Sequence, residues 1–138
     1  MKSNYYLVLS SLTFLGPAII SYKTGTYDLA ILCTLVSIIS SYYHYSKNPY
    51  LLYIDYPLNQ ITHITTVYHI LPGGWVSIPA YSVWLSYAIY IYYYGYLTKS
   101  LIWNPDLDAA TPWHMTLHIS TVLTTMYTVY ATHKIKCA

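Results

Sequence analysis

Of the 138 residues in this chain, only 7% are charged and 56% are hydrophobic, whereas a soluble globular domain has about 25% charged residues. The imbalance excludes an ordinary water-facing surface and predicts an integral membrane protein. The net charge of +2 is spread along the chain without a basic patch, so we expect no nucleic-acid partner.

Three further features of the composition bear on the protein's surroundings. Its 20 tyrosines favour the membrane–water interface. Its two cysteines, Cys33 and Cys137, form no Cys-x-x-Cys motif and indicate no disulfide framework. Its lysines are too evenly placed to orient the chain by the positive-inside rule. We expect a multi-pass membrane protein, in an endomembrane of the ER or Golgi kind if its source is eukaryotic or viral.

Five hydrophobic segments predict an all-α membrane protein, with residues 1–138 forming a single up-and-down bundle of about five transmembrane helices. A span needs about 20 residues to cross the hydrocarbon core, with a range of about 17–25. In chain order, the predicted helices cover about residues 4–22, 27–45, 55–71, 75–98 and 112–134.

The first and third segments need separate comment. The first contains Pro17, which a membrane helix tolerates. We interpret it as a retained span and not a signal peptide, because no Ala-x-Ala-like cleavage site follows it. The third segment is short and polar for a span, and it is counted because the topology then brings the histidines together.

The predicted helix ends determine where the ionisable residues lie. His44 closes the second segment, after which "SKNP" is a turn signal, and Asp55 opens the third. Thr111 is the predicted N-cap of the fifth segment, since proline suits the next position. His114 then lies in the first turn, and His118 is four residues further along the same face.

An up-and-down path places these side chains at one depth near one membrane face. The second segment ends on the side where the third begins, and two further crossings return the chain to that side. His44, Asp55, His114 and His118 therefore meet at one level. Three imidazoles and a carboxylate fit a catalytic zinc site, in which three protein ligands leave a fourth position for water.

Polar stripes on the second, third and fifth segments support a common polar interior. Such stripes in membrane helices face protein or a wet cavity. On the third segment the stripe is Asp55, Asn59, Thr62, Thr66 and His69, and on the fifth it is His114, His118, Thr121, Thr125, Thr128 and Thr132. On the second segment it is Ser37, Ser40 or Ser41, and His44.

Each feature taken alone also has an ordinary structural explanation. His-x-x-x-His pairs occur by chance, and an aspartate at a helix start is often only an N-cap. Serine and threonine in membrane helices commonly bond back to their own backbone. His63, His69 and His133 are interpreted in this way, because His63 lies off the Asp55 stripe and the other two lie at the far face.

The order of these residues resembles the motif set of a known superfamily. A Ser-x3-His-x10-Asp pattern runs from Ser40 through His44 to Asp55, and His114-x3-His118 follows. This resembles the CREST superfamily of membrane hydrolases, which includes the alkaline ceramidases and the adiponectin/progestin-type receptors. The resemblance implies that the three histidines bind zinc. It also implies that Asp55 orients or deprotonates the zinc-bound water and that Ser40 assists at the metal or the oxyanion.

The chain departs from that superfamily in length. Its members have seven helices, with the His-x-x-x-His on the seventh, whereas this chain has room for five. Because the difference is an even number of crossings, His114 remains on the expected face. The acidic N-terminal segment that binds calcium in the ceramidases has no counterpart, since "MKSNYY" carries no carboxylate.

The expected function is zinc-dependent hydrolysis of a membrane lipid amide, such as ceramide, because the site lies near the interface and is reached through an apolar bundle. The alternative is a non-catalytic membrane protein with a structural zinc site and a lipid-binding or interaction role. Haem binding by paired histidines is a weaker alternative. It requires ligands from facing helices, whereas His114 and His118 share one helix face.

Overall fold

The computed structural model describes residues 4–137, which are helical and contain no β-strand, as predicted for the all-α class. In chain order, the α-helices are α1 (Tyr5–Leu12), α2 (Leu15–Lys23), α3 (Tyr27–Ser46), α4 (Pro49–Ile70), α5 (Gly74–Ile89), α6 (Gly95–Thr98) and α7 (Leu107–Lys136). A 3-10 turn at Leu71–Gly73 leads into α5, a π-helical turn at Tyr90–Tyr94 joins α5 to α6, and a second 3-10 turn at Leu101–Trp103 precedes α7.

The first predicted helix is two short helices, α1 and α2, and the cause of the break is Pro17. Proline has no N–H to bond the carbonyl of Thr13 four residues earlier, and its ring crowds that carbonyl. The N–H of Gly16 bonds the Thr13 carbonyl instead, at 2.9 Å. The N-terminal segment therefore bends after Leu12, while α3, α4, α5 and α7 are the long helices of the described chain.

Helix α4 begins earlier than predicted, at Pro49 and not near Asp55. The side chain of Asn48 caps the helix by accepting a hydrogen bond from the N–H of Tyr50 at 3.1 Å. Pro49 takes the first helical position, where its missing N–H has no cost. The Asn-Pro pair was interpreted as part of a turn, but it starts the helix. Asp55 consequently lies in the second turn of α4 and is not a cap.

Helix α7 also begins earlier than predicted. Asp106 is the N-cap, and its carboxylate accepts a hydrogen bond from the N–H of Asp108 at 3.0 Å. The assignment of Thr111 as N-cap is therefore wrong, because Asp is a stronger cap than Thr and lies one turn closer to the loop. Thr111 instead donates to the Leu107 carbonyl at 2.7 Å. His114 lies two turns inside the helix, not in its first turn.

Helices α3 and α7 hold the bundle together, since each packs against α1, α2 and α4, and α7 packs against α5 as well. A small apolar cluster of Phe14, Val36 and Val122 fills the space where these helices meet. Val122 lies one turn from His118 on α7, so this cluster is next to the predicted histidine site. A larger apolar cluster occupies the rest of the interior.

The interior is unusually polar and the exterior unusually apolar. Trp75, Tyr53 and Val83 are 86%, 78% and 73% exposed, whereas soluble monomers rarely expose large apolar patches. The stripes predicted for the third and fifth segments face inward, and their buried members are Asp55, Thr62, Thr66, Thr121, Thr125, Thr128 and Thr132. Several of these threonines donate to a carbonyl oxygen of their own helix backbone, as Thr66 and Thr128 do at 2.8 Å.

Two helices are long and apolar enough to cross a membrane. They are Tyr5–Lys23, taken across its break, with a mean hydropathy of 1.3, and Tyr27–Ser46, with 1.2. The other helices of the described chain do not satisfy this measure of length and composition. Membrane crossing by α4, α5–α6 and α7 therefore stays a prediction.

Gly73 is a close contact point between the turn before α5 and α7. A Cβ added there would lie 2.8 Å from Cβ of Ser77 and would also meet Oγ1 of Thr132. Ser77 and Thr132 are hydrogen-bonded at 2.7 Å. Because overpacking costs about 1–3 kcal/mol, Gly73→Ala is expected to lower the free energy of unfolding by that amount, measured by denaturation in detergent micelles.

Gly16→Ala is the matched control for this prediction. Its added Cβ would meet the flexible Met126 side chain, with Sδ at 3.0 Å, and that side chain has rotatable bonds to move away. The loss of stability is expected to be smaller than for Gly73→Ala. Equal losses for the two variants would contradict the close packing assigned to Gly73.

Candidate metal centre

Three histidines from two helices form one cluster at the end of the bundle. His44 lies near the end of α3, and His114 and His118 lie on α7. One ring nitrogen of each lies within 4.8 Å of the others. The distances between ring centroids are 5.0 Å for His44–His114, 5.6 Å for His44–His118 and 4.8 Å for His114–His118. The three residues are close enough to hold a metal ion.

The local helix geometry accounts for the cluster. His114 and His118 are four residues apart, so their rings project from one face of α7. His44 is buried and the other two are half-buried. With Zn–N bonds of about 2.0–2.1 Å, two nitrogens on one tetrahedral ion lie about 3.3 Å apart. Small rotations of the rings would bring the three nitrogens to that separation.

A buried carboxylate and a buried hydroxyl are hydrogen-bonded to each other, and the hydroxyl lies one turn of α3 from His44. The hydroxyl of Ser40, one turn before His44 on α3, donates to Oδ1 of Asp55. The side-chain amide of Asn59 donates to the same oxygen at 3.2 Å. Asp55 is 9% exposed and Ser40 is 2% exposed. Two donors therefore fix one carboxylate oxygen, and Oδ2 has no hydrogen bond to the described part of the chain.

The structure brings some of the predicted site residues into direct contact and keeps others apart. It gathers the three histidines into one cluster and joins Ser40 to Asp55 by a hydrogen bond. The carboxylate of Asp55 is not part of the cluster of potential ligand atoms. Ser40 directs its hydroxyl toward Asp55, whereas the resemblance placed it at the metal or the oxyanion.

The sequence analysis missed a contribution from the N-terminal segment. Oγ of Ser10, on α1, lies 2.9 Å from Nδ1 of His118. The ring of Phe14, one turn later, packs edge-on against the His118 ring with centroids 5.7 Å apart. A serine and a phenylalanine four residues apart in an apolar segment were the available signal. They indicated an inward face, but not which residue that face would meet.

The remaining histidines lie outside the cluster. Nδ1 of His63 is 3.3 Å from the hydroxyl of Tyr81. His69 pairs with Asp28 at 2.8 Å, between the end of α4 and the start of α3. The ring of His133 is 3.8 Å from the sulfur of Cys137, four residues away on the same turn of chain. None of the three belongs to a group of potential metal ligands within the described residues.

Comparisons with known proteins add no assignment to this geometry. No protein-family model matches the chain, and neither a curated protein nor a solved structure matches it. The interpretation of the site therefore rests on the positions of its side chains.

The histidine cluster predicts metal binding. The purified protein is expected to hold about one divalent ion per chain, since three imidazoles form a complete set of protein ligands for an open site. His114→Ala and His118→Ala should each abolish stoichiometric binding, as measured by elemental analysis.

His63→Ala is the control, because it removes a half-buried histidine outside the cluster. It is expected to leave the metal content unchanged. Absence of stoichiometric metal from gently prepared wild-type protein, or wild-type metal content in His114→Ala, would contradict the assignment of the cluster.

Proposed function

We propose that the protein is a zinc-dependent intramembrane hydrolase that cleaves a lipid amide such as ceramide. The observation that carries the proposal is the cluster of His44, His114 and His118, with the buried Ser40–Asp55 pair one turn of α3 from His44. Imidazole nitrogen suits zinc, and three protein ligands leave the fourth position open, as in hydrolytic zinc sites. A site built only to bind metal would have no need of the Ser40–Asp55 pair.

The membrane part of the proposal is supported by the surface of the bundle. Large apolar side chains cover the outside, while Ser, Thr, His and Asp lie within, which suits lipid as the solvent. Two helices have the length and composition of spans. In the proposed arrangement α4, α5–α6 and α7 cross as well, and the protein is a multi-pass protein of an endomembrane.

Each residue of the site has a separate role in the proposed hydrolysis. His44, His114 and His118 would hold a zinc ion that would make a bound water acidic near neutral pH and would polarise the substrate carbonyl. Asp55 accepts the proton of the attacking water through the oxygen that Ser40 and Asn59 leave free. The water oxygen adds to the carbonyl carbon, and the C–N bond breaks. Asp55 then passes the proton to the departing amine, which yields a fatty acid and an amine.

A lipid substrate is supported by an apolar groove on the surface of the bundle. It has a volume of about 890 Å³ and lies between the start of α1 and the first turns of α7. Apolar side chains such as Met115 and Ile119 line it, and Lys47 contributes a cation near one end. The groove follows the face of α7 that carries Met115 and Ile119, and an acyl chain would lie along that face.

A structural metal site is the second candidate, and the packing of the helices favours it. α3 and α7 each pack against α1, α2 and α4. A metal ion held by His44 of α3 and by His114 and His118 of α7 would link these two helices directly. In that case the protein binds zinc for stability and serves as a lipid-binding or interaction protein.

Asp55→Asn separates the two functions. The substitution keeps the shape of the side chain but removes the base, which typically costs about 10²–10⁴-fold in rate. We expect hydrolysis of ceramide to fall by that factor while zinc remains bound. The measurements are turnover of a panel of ceramides and other lipid amides, and zinc content, for wild type and variant.

Asp28→Asn is the matched control, because it changes an acidic residue at the opposite end of α3. It is expected to leave turnover and zinc content unchanged. A wild-type protein that holds zinc but cleaves nothing in the panel would exclude the hydrolase and favour the structural site.

The proposed number of crossings predicts the positions of the two ends of the chain. Five crossings put residues before α1 and after α7 on opposite sides of the membrane. Accessibility of tags fused to each end, in sealed vesicles, measures this. Protection of both tags, or exposure of both, would contradict the five-crossing arrangement.

A further inference from the structure

His118 has a hydrogen-bonding partner that comes from outside α3, α4 and α7. Oγ of Ser10, on α1, is 2.9 Å from Nδ1 of His118. Ser10 is 3% exposed, and its hydroxyl also donates to the carbonyl of Leu7 at 3.0 Å. The contact joins residues 108 positions apart in the chain, so it is a product of the fold and not of local sequence.

Both contacts of Ser10 are hydrogen bonds at the same time in only one arrangement of the hydrogens. A serine hydroxyl has one hydrogen and can accept two bonds. With that hydrogen directed to the Leu7 carbonyl, Oγ is left to accept from Nδ1–H of His118. A neutral imidazole carries one N–H, so Nε2 then has the free electron pair. In this arrangement His118 has the tautomer that can bind a metal through Nε2.

We propose that Ser10 is a positioning residue of the metal centre, which fixes the tautomer and the ring orientation of His118. This inference rests on the proposed metal site. Phe14 completes the support by packing edge-on against the same ring. The N-terminal segment thereby supports His118. Among the three histidines of the cluster, His118 is the one with a ring nitrogen that is hydrogen-bonded within the described residues. The corresponding nitrogens of His44 and His114 have no such partner there.

The role differs from that of an ordinary buried serine, and the chain contains a matched comparison. Ser11 is fully buried and donates to the same Leu7 carbonyl at 2.8 Å, but its side chain makes no hydrogen bond to a histidine. Ser10→Ala and Ser11→Ala therefore remove the same group from adjacent positions of α1. Only Ser10→Ala removes the acceptor for His118.

The first test is zinc affinity, measured by chelator competition on the full-length protein in micelles. Loss of a group that orients a metal ligand typically costs about 10–100-fold in affinity. Ser10→Ala is expected to weaken binding by that factor, Ser11→Ala to leave it unchanged, and Ser10→Thr to restore it by returning the hydroxyl. The visible spectrum of the cobalt-substituted protein should change in Ser10→Ala alone. Unchanged affinity in Ser10→Ala, or an equal loss in Ser11→Ala, would overturn the proposal.

The second test needs neither metal nor a substitution at Ser10. The nitrogen NMR spectrum of zinc-free wild-type protein labelled at histidine distinguishes protonated from unprotonated ring nitrogens, and His118→Asn identifies the His118 signals. A proton on Nδ1 is expected, and a proton on Nε2 would overturn the proposal. If wild-type protein bound no metal, the proposed function would fail, yet this measurement would still decide the tautomer.

Discussion

The site depends on one constraint, which is that the end of α3 and the third turn of α7 lie at the same level of the bundle. His44 lies on α3, and His114 and His118 lie on α7. One ring nitrogen of each lies within 4.8 Å of the others. The chain between them, from α4 to α6, determines that level by its path. α1 and α2 fill the space between α3 and α7, and they also support His118. A change in the length of α4 or α5 would separate the ligands without altering any of them.

The polar groups of the interior are paired with one another. Buried imidazoles and a buried carboxylate need such partners, because burying polar groups alone is costly. Ser40 and Asn59 provide these partners for Asp55, and Ser10 provides one for His118. Threonines elsewhere in the interior bond to their own helices. The polar groups therefore lie inside, and the apolar ones remain to face the surroundings.

The sequence predicted the parts of this arrangement that follow from the spacing of residues along a helix and from the number of predicted crossings. The separation of His114 and His118 defined a helix face, and counting crossings placed His44 beside them. The starts of α4 and α7 were predicted too late, because Asn48–Pro49 and Asp106 also fit loops and act as caps only in context. The position of Ser10 was beyond such reasoning. A contact over 108 residues depends on how α1 packs against α7, and no local pattern specifies that packing.

The distance between Ser10 and His118 along the chain has a consequence for biosynthesis. α1 leaves the ribosome early and α7 late, so α1 is made before all the helices that lie between them in the chain. Until α7 arrives, Ser10 has no imidazole to support and His44 has no companion ligands. The three histidines can therefore meet only late, after the intervening helices have been made and have packed. A chain that ended before α7 would carry His44 without the two other histidines of the cluster.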